Sequence, residues 1–185
     1  MGIVEPLHVV CVCTHNRTRS VLTAALLTRE LQRVGIDADV SSAGTYQSGH
    51  PAVDRAVRLL AEQRLDATQH RSRVLDDDIV GAADLFVTAE RDHVAFIAGR
   101  WPGTFARTFT LPEIVARGEA IGPRRGSDLQ DWLAAAGDGR PMAFDYLDAR
   151  SIGEIADPTG KSPAAWDATF AEVTDLTRRL ARVLT

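Results

Sequence analysis

The sequence predicts a single α/β domain in which a central twisted parallel sheet of about four strands carries helices on both faces. Strand-like and helix-like segments alternate along the chain, the pattern of parallel strands joined by helical crossovers. The first apolar run, residues 7–13 (LHVVCVC), is β-branched and continuous, as in a strand buried on both sides. A length of 185 residues, 45% hydrophobic and 25% charged, suits one core.

Each element follows from its residues. After the first strand, residues 19–35 place Val21, Leu22, Ala25, Leu26, Leu31 and Val34 at helical spacing, with Gly35 as the stop. Residues 37–44 read as a second strand running into a small-residue loop. Pro51 opens a helix over 51–63. The acidic triplet 76–78 opens another, where carboxylates suit the positive helix end. Residues 83–89 and 105–111 read as strands three and four, with a short helix at 91–98 between them. Residues 162–184 form an amphipathic helix with its own Ser cap and Pro start, its Trp166 and Phe170 on one core-facing side. Residues 112–155 hold polar turns around a short helix near 128–136. That is long for one connection, so an insertion within the 1–185 domain is expected there.

Composition excludes several classes. A net charge of −4 gives no reason to expect nucleic acid as partner. No apolar run is long enough to span a bilayer, and the first ten residues hold an acid and a proline but no basic segment, so neither membrane nor signal peptide is expected. Cys11 and Cys13 are the whole thiol inventory. At i and i+2 of a strand they lie roughly 6.5 Å apart, at the edge of bridging range, so free thiols and a cytoplasmic location are expected. Oligomeric state is not legible.

The corner after the first strand carries the chemistry. Cys13 ends the strand, Arg19 follows six residues on, and Ser20 lies at the helix start. Ligands of parallel sheets bind outside the carboxyl ends of strands, and a loop feeding a helix N-terminus presents backbone N–H groups to an anion. That field favours an anionic, nucleophilic sulfur at Cys13. The planar fork of Arg19 grips two oxygens of a tetrahedral oxyanion, and Ser20 is placed to donate a hydrogen bond to the sulfur. No metal is needed, because the arginine and the backbone dipoles supply the positive field.

Residues 10–26 (VCVCTHNRTRSVLTAAL) resemble the Cys-x5-Arg-Ser signature of low-molecular-weight protein tyrosine phosphatases, whose fold the thiol-coupled arsenate reductases share. SSAGT (41–45), HRSR (70–73), ADLFVTAERDHV (83–94) and ADPTG (156–160) follow in the family's order. The resemblance implies a phosphate monoester hydrolase working through a cysteinyl-phosphate intermediate without a cofactor. It makes Cys13 the nucleophile. Arg19, with the backbone of Thr14, His15, Asn16, Arg17 and Thr18, binds phosphate. Asn16, Ser20, Ser42 and His70 match the polar network supporting the loop, and Asp157 matches the general acid. A carboxylate on a loop serves that role by protonating the departing oxygen and then deprotonating water.

Three departures bear on substrate. The aromatic residue usual after Asp-Pro is Thr159 here, which takes stacking surface from a phosphotyrosine slot; Trp132 or Tyr146 could replace it, although unpaired aromatics more often belong to the core. Thr18 stands where many members carry a second loop cysteine, and Cys11 reads as packing. His15 replaces the usual Gly, and the Cys-x-His-Asn start is similar to the arsenate-reductase branch. Expected ligands are a phosphorylated protein or small phosphorylated metabolite, with inorganic phosphate and other tetrahedral oxyanions. Arsenate reduction with an external thiol and a non-catalytic phosphate-binding module are the alternatives. A metal site built on Cys11, Cys13 and His15 lacks a fourth ligand at suitable spacing.

Overall fold

The computed structural model describes residues 6–46 and 48–185. Strand β1 (Leu7–Cys13) leads into helix α1 (Arg19–Arg33), β2 (Ala38–Gly44), α2 (Asp54–Glu62) and α3 (Asp77–Ala82). Then come β3 (Leu85–Thr88), α4 (Arg91–Arg100), a 3₁₀ turn (Pro102–Arg107), β4 (Thr108–Thr110), α5 (Leu111–Ile121) and α6 (Leu129–Gly137). A short 3₁₀ turn (Tyr146–Asp148) precedes the long α7 (Pro163–Val183). The strands pair in parallel in the order β2-β1-β3-β4. The chain therefore leaves β1 toward one side of the sheet and returns on the other. The crevice at the carboxyl end of β1 lies where the strand order reverses, the place where such sheets hold ligands.

Alternation along β1 divides the core. Val9, Cys11 and Cys13 join the larger apolar cluster with α1, α5, α6 and α7, whereas Val10 and Val12 meet Phe86, Val80 and Ile97 on the other face. Cys11 is fully buried, and burial, then the neighbouring Cys13, pushes its thiol strongly upward. Both cysteines are free.

The fourth strand is shorter than expected. Residues 102–107 wind into a 3₁₀ turn, leaving only Thr108–Thr110 in the sheet. Helix α5 occupies the start of the segment read as an insertion, where only the short helix near 128–136 was located. A Cβ at Gly118 would stand 2.9 Å from both Trp132 and Val183, so the glycine permits close packing of α5 against α6 and α7.

Residues 138–155 are pinned to this frame. Arg140 donates to Glu113 (2.9 Å) and to the carbonyls of Phe105 (2.9 Å) and Thr108 (2.7 Å), while the Tyr146 hydroxyl donates to Glu113. Downstream, Thr110 donates to the Gly153 carbonyl and the Ile155 amide to the Ala89 carbonyl. The chain thus arrives at Asp157 from a rigid support. Trp132 and Tyr146 are 5% and 0% exposed, so of the two readings open to them both take the core one, and neither walls the site. No helix among the described residues is long and apolar enough to cross a membrane.

Candidate active site

Residues 14–18 bridge the end of β1 and the start of α1, and the loop is held by polar side chains. Asn16 has φ +51°, a left-handed conformation that costs a non-glycine residue energy, and it is fully buried. Every hydrogen-bonding group of its side chain is used in compensation. Its amide donates to Ser20 (3.0 Å) and Ser42 (2.8 Å), and its Oδ1 accepts from the Arg73 amide (3.0 Å). Its main-chain carbonyl accepts from His70 Nε2 (2.6 Å), which fixes the proton of that ring on Nε2. Burial, against the opposing effect of the Asn16 bond, lowers the His70 pKa. Ser20 Oγ accepts from Asn16 and lies 3.1 Å from Cys13 Sγ, within hydrogen-bond reach of the sulfur. The structure thus brings together Cys13, Asn16, Ser20, Ser42 and His70.

Gly44 belongs to the same arrangement and was not singled out in the sequence. A Cβ there would lie 2.7 Å from the Thr14 carbonyl oxygen and 3.0 Å from the Asn16 amide. That carbonyl accepts from the amides of Thr45 (2.9 Å) and Tyr46 (3.1 Å), so an alanine at 44 must push the loop off its support.

Arg19 is 3% exposed and anchored from behind. Nη1 donates to the Ile155 carbonyl (3.1 Å) and pairs with Glu90 (2.7 Å), and Nη2 pairs with Asp157 (3.0 Å). Its Nε–H is buried without a partner. Buried donors are almost always satisfied, and Nε shares one edge of the fork with Nη2, the edge that takes two oxygens of an oxyanion. Helix α1 has no side-chain cap on its first turn, which leaves its amides open to the same ligand.

Asp157 closes the site. Burial raises its pKa, but the Thr159 amide (2.9 Å), Arg19 and the Thr159 hydroxyl together outweigh this, and the net shift is downward. The resting carboxyl is therefore ionised. Thr159 also meets Thr18 across the opening, Oγ to Oγ 3.2 Å, tying the loop of Asp157 to the loop between Cys13 and Arg19. Cys13, His15, Arg17, Thr18, Arg19, Val53, Asp157 and Thr159 line a cavity of about 250 Å³. Tyr46, 65% exposed, packs edge-on against His15 with ring centroids 5.4 Å apart. His15 is thus the aromatic ring in the lining, with Tyr46 packed on it from outside.

Glu90 and His93 carried no role in the sequence reading, although both fall within a motif that did. The Glu90 amide donates to His93 Nδ1 (3.1 Å), so the proton of the neutral ring sits on Nε2 and points at Thr14 Oγ1 (3.0 Å). Burial, then the Arg19 charge, pushes the His93 pKa down to about 4. Its unfolded value is about 6.5, so the unfolded chain takes up this proton first. The stability linked to His93 is complete above pH 6.5 and is lost as pH falls toward 4. Urea denaturation is expected to show about 2 kcal/mol lost through this residue between pH 7.5 and pH 5, and His93→Asn to lack that component. An identical pH slope in the two proteins would show that the ring is not held neutral.

The family model for low molecular weight phosphotyrosine protein phosphatase matches residues 8–117. A protein-arginine-phosphatase of Bacillus subtilis (strain 168) is 32% identical over 122 residues, 64% of this chain and 81% of that protein. A probable low molecular weight protein-tyrosine-phosphatase, EpsP, of Ralstonia nicotianae is 30% identical over 106 residues, 57% of this chain and 71% of that protein. The crystal structure of a YwlE mutant from Bacillus subtilis superposes with a TM-score of 0.72 at 26% identity, covering 95% of this chain and 96% of the other. With its cysteine loop, parallel sheet and matched sequence, this chain belongs to the low molecular weight phosphotyrosine protein phosphatase family and is a cysteine-dependent phosphatase.

Proposed function

We propose that the protein hydrolyses phosphotyrosyl side chains of proteins, with Cys13 as nucleophile, Arg19 as phosphate ligand and Asp157 as general acid and base. The observation that carries the reading is the convergence of these three groups on one cavity, with the Arg19 Nε–H unpartnered. The Cys13 sulfur attacks phosphorus in line, forming an S–P bond as the P–O bond to the leaving group breaks. The departing oxygen takes its proton from Asp157. Asp157 then removes a proton from water, whose oxygen attacks the S–P bond and releases phosphate and the thiolate. The Ser20 hydroxyl, 3.1 Å from Sγ, stabilises that thiolate on departure.

The lowered Asp157 pKa fits this cycle once substrate is considered. In the resting site the carboxylate shares Arg19. A bound phosphoryl group brings negative charge beside Asp157 and competes for the guanidinium, which raises the affinity of the carboxyl for a proton. Its side chain is 39% exposed, so that proton exchanges with solvent. Segment 112–155, read as an insertion, supplies the support that delivers Asp157 through the Arg140–Glu113 anchor.

Hydrolysis of phosphoarginine is a second reading, and the arginine-phosphatase relative favours it. Arsenate reduction would have to draw its electrons from an external thiol. Cys11 is fully buried, and among the described residues no accessible second thiol stands near Cys13 to relay electrons. A side-by-side assay of a phosphotyrosyl peptide, a phosphoarginyl peptide, sugar phosphates, and arsenate with a thiol donor tests the assignment. The phosphotyrosyl peptide is expected to give the highest kcat/KM. A higher value for any other substrate would replace this reading.

A further inference from the structure

We propose that Arg17 forms a second anion subsite at the mouth of the pocket, so that the preferred substrate carries a carboxylate side chain next to its phosphotyrosine. This rests on the phosphotyrosyl reading above. The two arginines of the cavity differ in kind. Arg19 is buried, and its charge is balanced by Glu90 at 2.7 Å and Asp157 at 3.0 Å. Arg17 lines the same cavity at its outer edge and has no carboxylate partner among the described residues. One cation is therefore spent on structure and the phosphoryl group, while the other is left for something outside.

Arg17 is also held in place. Its Nε donates to the Pro51 carbonyl (2.8 Å), and its own main-chain carbonyl accepts from the Val53 amide (2.9 Å). Both Nη groups remain beyond that anchor, a planar fork that suits a carboxylate. The other charged and aromatic groups around the mouth fit the same substrate. Val53 gives the cavity an apolar wall for a ring, and the exposed Tyr46 edge against His15 continues that surface outward. Asp157 is committed to Arg19 and Thr159, so it does not neutralise Arg17. The phosphoryl group fills the floor, the substrate ring lies along Val53, and the neighbouring residue of the substrate meets the fixed guanidinium.

Three phosphotyrosyl peptides of equal length test this, flanked on both sides by Glu, Gln or Lys, with p-nitrophenyl phosphate as the activity standard. At low ionic strength the Glu peptide is expected to exceed the Gln peptide about fivefold in kcat/KM, with the Lys peptide lowest. The advantage should shrink in 0.5 M NaCl, because a pair at the surface is screened. Arg17→Gln is expected to bring the Glu/Gln ratio near one, and Arg17→Glu to reverse the order in favour of Lys. Because each ratio is taken within one variant, a general loss of activity does not disturb it. Equal rates on Glu and Gln peptides in the unmodified protein, or a preference that survives Arg17→Gln, would overturn the subsite and leave the phosphatase reading standing. Turnover of p-nitrophenyl phosphate with none of the peptides hydrolysed would overturn the phosphotyrosyl reading and the subsite together.

Discussion

Cys13→Ser is expected to lower turnover by at least about 10⁴-fold, while the affinity for inorganic phosphate or vanadate stays within a few fold. The two halves of the result have separate causes. A serine hydroxyl is a far weaker nucleophile than a cysteine sulfur, so the attacking group is lost. Affinity resides in the loop amides, the first turn of α1 and the Nε edge of Arg19, none of which depends on sulfur. The Asn16 network that shapes the loop runs through Ser20, Ser42, His70 and Arg73, and only the Cys13–Ser20 contact touches the substituted atom. Steady-state kinetics together with phosphate titration by calorimetry check both halves. Substantial residual turnover would end the covalent mechanism. Lost binding would mean that the sulfur itself holds the loop open.

Asp157→Asn is expected to act in proportion to the difficulty of the leaving group. For p-nitrophenolate, a weak base, the loss in kcat should be about tenfold. For an alkyl phosphate it should reach about 10³-fold, because the alkoxide cannot leave unprotonated. The substitution keeps the side-chain size but removes both the charge paired with Arg19 and the transferable proton. The alkaline limb of the kcat profile that reports the protonated acid should therefore disappear in the variant. An equal loss for both substrates would assign Asp157 to holding Arg19 in place and leave the proton donor elsewhere.

Much of the site is legible because its chemistry is local. Cys13, the loop and Arg19 lie within seven consecutive residues, and the switch from a β-branched run to helical spacing marks the corner. Once that corner is recognised, Asn16, Ser20, Ser42, His70 and Asp157 follow from short motifs, and the structure brings them all to it. What stayed open has an equally definite origin. Trp132 and Tyr146 read as either rim or core residues, because an aromatic was missing at the rim. A sequence shows which large apolar rings exist but not which way they face, and burial beneath 138–155 claimed both. The close approach at Gly118 depends on Trp132 and Val183, which are remote from it in sequence.

The amino-acid order by itself determined the α/β class and marked the Cys13–Arg19 corner proposed as nucleophile and phosphate loop, since residues a few positions apart are constrained by backbone geometry alone. The tertiary structure decided how the charges are shared. Glu90, from the start of α4, and Asp157, from a loop 138 residues beyond Arg19, converge on one guanidinium, while among the described residues Arg17 has no carboxylate partner. Coulomb energy depends on distance and burial, and both are set only when remote segments pack.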